Sequence, residues 1–323
     1  MSSESQEQPE APVADPEVSG SEDPSQGESG DSPEPQWIDL PSGEALNDEE
    51  AGEAMKVSPA KIILIAGEND TGKTSLLCGV FERYLAGDFA GQLFCGSRTL
   101  RAFDRRSFLQ RAEAGLELPD MERTRLPAGQ LALLHLELQS KGSGERAALL
   151  MTDLAGEAFK LIRNNPEECK RYPVLSRVDC VLLLLDAERL GTEQRHGHVS
   201  STRTMLRSLL QSDMLRDGVP ITLGLSKWDV VGTKAHRESA QADALTVLGP
   251  TTIDSAKAHP TDISRIAAAP QRAGDVHAGH GLSDLVSSWV GAESPAEEME
   301  ITGAEGSEAS SGFDLFQGEG DAK

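Results

Sequence analysis

The sequence predicts an α/β fold over residues 61–290, a mostly parallel sheet covered by helices on both faces with one antiparallel hairpin set into it. Three observations carry that expectation. Largely apolar runs recur at Ile62–Ala66, Val178–Leu185 and Pro220–Leu225, as they do in strands buried on both faces. Stretches with helical spacing separate them, so the strands need crossover connections. The first run also feeds the spacing G-x-x-x-x-G-K-T at Gly67–Thr74, and a helical pattern opens at Ser75-Leu76-Leu77. That strand–loop–helix order is the setting a phosphate-binding loop requires.

Taken in order, Lys61–Ala66 reads as the first strand. Lys73–Leu85 reads as a helix, with Leu76, Leu77, Val80, Phe81 and Tyr84 on one face and Gly87 at its end. Residues 87–129 read as a long irregular insertion holding an extra helix near Arg105–Leu116. Leu131–Leu138 alternates as a strand does, Lys141-Gly142-Ser143-Gly144 turns the chain, and Arg146–Thr152 returns as its hairpin partner. Val178–Leu185 and Pro220–Leu225 are buried strands, with a helix at Ser201–Leu215 between them. Lys234–Val247 and Gly281–Val290 read as helices flanking a strand near Asp262–Ala268.

Charge divides the chain differently. Residues 1–60 hold sixteen acidic residues, one Lys and eight prolines, and residues 291–323 hold nine acidic residues and one Lys. Segments so charged and so poor in large apolar residues cannot bury enough surface to offset chain entropy, and both read as disordered acidic tails. They account for the whole net charge of −23, which leaves residues 61–290 balanced at 28 acidic and 28 basic residues. A negative chain argues against gripping nucleic acid or an anionic membrane through overall charge. The longest apolar run, Cys180–Leu185, is far too short to span a bilayer. Met1-Ser2-Ser3-Glu4 lacks the basic and apolar regions of a secretion signal. Cys78, Cys95, Cys169 and Cys180 lack metal-type spacing and read as reduced thiols, so the expected location is cytoplasmic.

Three motifs carry the chemistry. In the first, Gly67 and Gly72 let the backbone turn so that N–H groups from Asn69, Asp70, Thr71, Gly72 and Ser75 face the phosphates. The following helix adds its positive N-terminus, Lys73 reaches the β/γ-phosphates, and the Thr74 hydroxyl ligates Mg²⁺. In the second, Thr152-Asp153-Leu154-Ala155-Gly156-Glu157 closes a strand. Asp153 there can hold Mg²⁺ through a water, and Gly156 can offer its N–H to a γ-phosphate. In the third, Ser226-Lys227-Trp228-Asp229 follows a strand. Asp229 can accept both guanine donors, N1–H and N2–H₂, while the Lys227 stem covers the base. Adenine has no such donor pair.

Together the motifs resemble the Ras-like P-loop GTPases of the translation-factor-related class: Gly67–Thr74 as the phosphate loop, Asp153–Gly156 as D-x-x-G and Ser226–Asp229 as N/T-K-x-D. The resemblance spans about residues 61–290. It implies a three-layer domain with a six-stranded sheet, GTP and GDP as ligands, Mg²⁺-dependent hydrolysis and two switch segments. Four further segments resemble bacterial double-GTPase proteins of conflict or defence systems: Ser97–Leu100, Thr152–Phe159, Leu185–Leu190 and Ser226–Asp229. That likeness implies a protein partner, a second GTPase or an effector.

Departures from the pattern bear on turnover. Ser226 stands where Asn or Thr is usual, and Glu157 stands where a water-orienting Gln is usual. A carboxylate at 157 can orient water but repels the γ-phosphate, which predicts slow hydrolysis accelerated by a partner. The first switch needs a threonine on Mg²⁺; Thr124 is preferred and Thr99 is the alternative. The purine loop is either Ala267-Ala268-Ala269, preferred with Ala268 at its centre, or Ser255-Ala256-Lys257. Other readings stay open. Val181–Glu188 resembles a Walker B strand, with Asp186 and Glu188 serving an ATPase, and a scaffold that binds nucleotide without hydrolysing it is the third. Five arginines (Arg98, Arg101, Arg105, Arg106, Arg111) face Asp104 alone between 98 and 111. They read as a solvated face, a phosphate-directed arginine or a dock for an acidic tail. His196, His198, His277 and His280 read as surface loop residues, and Trp37–Leu40 and Phe313–Phe316 as apolar islands in the tails.

Overall fold

Strand β1 (Ala60–Ala66) runs through the middle of a seven-stranded sheet ordered β2-β3-β4-β1-β5-β6-β7. The computed structural model describes residues 41–108, 129–253, 258–270 and 276–291. Along them the elements follow as α1 (Asp48–Val57), β1, α2 (Lys73–Ala86), β2 (Gln92–Gly96), α3 (Leu100–Ser107), β3 (Ala132–Ser140) and β4 (Arg146–Asp153). Then come α4 (Gly156–Asn164), β5 (Cys180–Asp186), α5 (Arg195–Gln211), β6 (Val219–Ser226), α6 (Lys234–Ile253), β7 (Ala258–Arg265) and α7 (Leu282–Val290).

The pairings β4–β1, β1–β5, β5–β6 and β6–β7 are parallel, whereas β2–β3 and β3–β4 are antiparallel. Alternation along β1 builds two cores. Ile62 and Leu64 face one layer with Phe159 and Ile162 of α4, Leu206 and Leu209 of α5, and Ala240 and Ala244 of α6. Ile63 and Ile65 face the other with Leu77 and Phe81 of α2, Phe103 of α3, and Leu285 and Trp289 of α7. Both faces are buried, so the central strands carry the near-continuous apolar runs seen in the sequence. Among the described residues no helix is long and apolar enough to cross a membrane, and all four cysteines are free thiols.

Several expectations change. The sheet has seven strands rather than six, because Gln92–Gly96 inside the expected irregular insertion pairs with β3. That segment is only five residues long, with a register shift between Phe94 and Gly96, so it left little alternation to read. The expected hairpin is present as β3–β4, and β2 adds a second antiparallel pairing at its outer side. The insertion's helix lies at Leu100–Ser107, ahead of the expected Arg105–Leu116, and residues 109–128 lie outside the described residues.

The stretch 41–60 is not disordered as expected. Leu46 pairs with Leu133 through hydrogen bonds of 3.0 and 2.9 Å. Asn47 and Glu50 form a reciprocal capping box that starts α1, and Ala51 and Ala54 bury against the sheet. Small apolar residues on an otherwise acidic helix pack well without showing in composition. The acidic residues of its first turn also suit its N-terminus. The last strand lies at 258–265, earlier than expected, and α6 runs to Ile253 across non-helical backbone at Gly249.

Candidate functional site

Parallel strands place their carboxyl ends along one edge of the sheet, and the site is built from those ends. β1 leads into the Gly67–Thr74 loop, β4 ends on Asp153, β5 on Asp186, β6 on Ser226, and β7 leads into Ile266–Ala268. The chain passes from β1 to strands on one side and later to β5 on the other. Such a reversal opens a crevice at the strand ends.

The loop has the geometry that a phosphate cradle needs. A Cβ on Gly67 would stand 2.5 Å from Thr71 Oγ1 and would push that hydroxyl off its bond to Glu68 O. Gly72 opens α2 in left-handed backbone (φ 84°) without any side-chain cap, at the helix end where backbone N–H groups suit an anion. Asp70 is also left-handed (φ 63°), an uncommon and strained state for a residue with a side chain. Lys73 is buried and donates from Nζ to Gly67 O (2.9 Å) and Glu68 O (2.7 Å). An ammonium has three protons, so these two bonds aim the group across the loop. Its Nζ also lies 5.7 Å from the Phe159 ring centroid. Burial pulls the Lys73 pKa down to about 8, against the opposing pull of Asp153, Glu157, Asp70 and Glu68. A polyanion bound beside it would raise that pKa again.

Thr74 Oγ1 lies 3.3 Å from Asp153 Oδ1 and donates to it. A hydroxyl and a carboxylate oxygen side by side beside a phosphate loop are the hard oxygen donors that Mg²⁺ takes. Among the described residues no group of three or more His, Cys, Asp and Glu could hold a metal by itself. Asp153 is fully buried, and its other oxygen meets Arg106 Nε at 2.8 Å.

At the start of α4 Gly156 presses on the loop. A Cβ there would stand 2.6 Å from the Asn69 backbone N, and Asn69 Nδ2 donates to Glu157 Oε1 (3.0 Å). Glu157 is exposed at the mouth of the site.

The third motif meets the loop across an open cleft of about 510 Å³, whose lining includes Gly72, Ser75, Ser226, Lys227, Asp229 and Ala268. Ser226 Oγ donates to Leu185 O (3.4 Å), tying β6 to β5. Lys227 has left-handed backbone, and its Nζ pairs with Asp186 (2.9 Å) and Glu188 (3.1 Å). Burial opposes that charge, but the two carboxylates win and raise the Lys227 pKa above its usual value. Trp228 N donates to Ile266 O (3.0 Å), which joins this loop to the alanine segment. Ala268 approaches α2 so closely that a Cβ on Gly79 would stand 3.1 Å from its Cβ. Of the two purine-loop candidates, Ala267–Ala269 lies at the cleft, while Ser255–Lys257 lie outside the described residues.

Thr124 also lies outside the described residues. Thr99 is fully buried, and its hydroxyl accepts from His135 N (2.9 Å), so it serves the β3 backbone here. Asp186 Oδ1 accepts from the backbone N–H of Glu188 (3.0 Å) and Arg189 (3.3 Å). With Lys227 on its other oxygen, it organises a turn and a lysine.

Four residues around the loop escaped the sequence reading. Glu68 pairs with Arg163 Nη1 (2.6 Å) and with His198 Nδ1 (3.2 Å). His198 is buried rather than on a surface loop. Its Nε2 accepts from Asp186 N–H (2.9 Å), which assigns its proton to Nδ1. Burial by itself would raise the Glu68 carboxyl, but His198, then Ser201 and Arg163, bring it down to about 2. Arg189 donates to Asn69 O (2.9 Å). None of these contacts follows a spacing rule: Glu68 lay inside the phosphate-loop spacing, Arg189 inside Leu185–Leu190, and His198 was read as a surface residue, but nothing in those runs pointed to the partners.

A comparison with curated proteins finds no match. Among solved structures the chain is similar to translation elongation factor SelB from Methanococcus maripaludis, in complex with the GTP analogue GppNHp. Identity is 17%, coverage is 74% of this chain and 35% of that one, and the TM-score is 0.36. It is also similar to a signal recognition particle receptor SRb-GTP/SRX complex from Chaetomium thermophilum (13% identity, 71% and 98% coverage, TM-score 0.39). A third is the Ski7 GTPase-like domain of S. cerevisiae bound to GTP (10% identity, 74% and 51% coverage, TM-score 0.41). The chain thus spans about a third of the length of the SelB chain and half of the Ski7 chain. Likeness this distant carries no argument about function. The family model does: Double-GTPase 2 matches residues 61–290, the whole stretch that holds the phosphate loop, D-x-x-G and S-K-x-D motifs. The chain belongs to the Double-GTPase 2 family of P-loop GTPases.

Proposed function

We propose that this GTPase binds GTP and GDP with Mg²⁺ at the cleft, hydrolyses GTP slowly, and acts as a switch whose turnover a protein partner stimulates. The observation that carries the reading is the cleft itself. It brings Gly72 and Ser75 of the phosphate loop together with Ser226, Lys227, Asp229 and Ala268 at one sheet edge. Gly67–Ser75 would cradle the phosphates, Lys73 would face the β/γ oxygens, and Asp229 would read the guanine edge. Thr74 and Asp153 would hold Mg²⁺, with Thr124 as the proposed switch threonine; the ion would neutralise charge developing on the bridging oxygen. Gly156 would offer its N–H to the γ-phosphate.

The proximity of Thr74 to Asp153 favours this over an ATPase built on Asp186 and Glu188, whose carboxylates face Lys227. Glu157 supports slow turnover, because a carboxylate at the mouth of the site faces an incoming γ-phosphate. It also keeps a non-hydrolysing scaffold in play, which multiple-turnover phosphate release separates from the switch. The likeness to double-GTPase proteins of conflict systems supports a second GTPase as the partner.

Calorimetry with Mg²⁺ tests the reading. GTP and GDP are expected to bind at least a hundredfold more tightly than ATP. Asp229→Ala should remove about 3–6 kcal/mol of guanine affinity, the scale of two hydrogen bonds to a charged group, and leave ATP binding unchanged. Equal affinity for ATP and GTP would overturn it.

A further inference from the structure

The Asp153 carboxylate is fully buried, and its two oxygens face different partners. Oδ1 meets the Thr74 hydroxyl at 3.3 Å, and Oδ2 meets Arg106 Nε at 2.8 Å. Arg106 reaches in from α3 with about a fifth of its side chain still exposed. A second bond, from its Nη1 to Ala102 O (3.1 Å), sets the direction of the guanidinium. α3 is itself held firmly. Phe103 stacks on Phe81 at 4.5 Å, and Ala102 N donates to Gly43 O at 2.9 Å. Arg105, next along the helix, points away and pairs with Glu44 at 3.2 Å.

A buried carboxylate left without a cation is strongly unfavourable. Two cations crowded onto one carboxylate repel each other, most of all where water is scarce. We infer that Arg106 is the built-in counter-ion of Asp153 and competes with Mg²⁺ for it, so that Arg106 sets the Mg²⁺ concentration at which the protein takes up nucleotide. The inference rests on the proposed Mg²⁺ role of Asp153. With the metal absent, the guanidinium neutralises the carboxylate; metal loading requires that contact to loosen, and its exposed side gives the guanidinium a path outward. Magnesium affinity is then lowered by the fraction of molecules in which the arginine holds the site.

The test is a titration of free Mg²⁺ on the full chain, following the affinity for a fluorescent GDP from chelator upward. In Arg106→Gln the Mg²⁺ concentration giving half the effect is expected to fall threefold or more. Arg105→Gln removes the same charge from the same helix and is expected to leave that concentration unchanged. An unchanged or higher value in Arg106→Gln overturns the inference, as does an equal fall in both variants, which would mark a general charge effect. Should Arg106→Gln fail to fold, Arg106→Lys keeps the charge without the Nε contact. A fall in its half-point supports the competition, and no fall overturns it. If GDP affinity in the unaltered chain ignores Mg²⁺ altogether, the metal role of Asp153 fails first and takes the inference with it.

Discussion

Lys73 shows how the site stores binding energy as local instability. Its pKa falls from the usual 10.5 to about 8 because burial removes water from the ammonium, and holding that charge at neutral pH costs about 3 kcal/mol. A lysine with a lowered folded pKa weakens the fold below that pKa, and the penalty fades as pH rises from 8 towards 10.5. Lys73→Met is therefore expected to make the nucleotide-free protein about 1–2 kcal/mol more stable at pH 7 in urea denaturation, after allowing for the two lost carbonyl bonds. The advantage should shrink above pH 8, and nucleotide affinity should fall at least a hundredfold. Glu68 runs the other way, held ionised near the loop by His198 and Arg163 despite its burial. Lys73 was legible because its neighbours in sequence are its neighbours in space. Glu68 was not, since its histidine partner lies 130 positions along the chain.

Among elements, the junction of β4 and α4 carries the second motif. The D-x-x-G spacing told where the turn would fall but not how tightly it packs. A Cβ on Gly156 would stand 2.6 Å from the Asn69 backbone N and 2.8 Å from its Cα. Backbone cannot swing aside as a side chain can, so Gly156→Ala must displace the phosphate loop. Its affinity for GDP and GTP is expected to fall tenfold or more by calorimetry, with circular dichroism unchanged. The central strands were legible because burial on both faces leaves unbroken apolar runs. β2 was not, because an edge strand of five residues with a register shift has too little pattern to count.

Across the whole molecule, the stretch before the phosphate loop belongs to the fold. Leu46 joins β3, α1 packs Ala51 and Ala54 against the core, and Glu44 holds Arg105 of α3. A chain beginning at residue 58 is expected to be about 2–4 kcal/mol less stable to urea than one beginning at residue 41. That is the scale of one buried leucine, two small side chains and a pair of backbone bonds. Equal stability would mean that this stretch only decorates the sheet. Composition hid it, because charge counted over sixty residues averages a short packed helix with the segment that precedes it.

The sequence by itself determined the family and which motifs come together at one edge of the sheet. Each motif is a handful of contiguous residues at a strand end, and strand ends of a parallel sheet meet wherever the apolar runs pair. Only the tertiary structure decided which of five similar arginines stands on Asp153, and that a buried histidine steadies the phosphate loop. Charges separated by 47 and 130 positions choose their partners through space, and the strength of each pairing depends on how much water the fold removes around it.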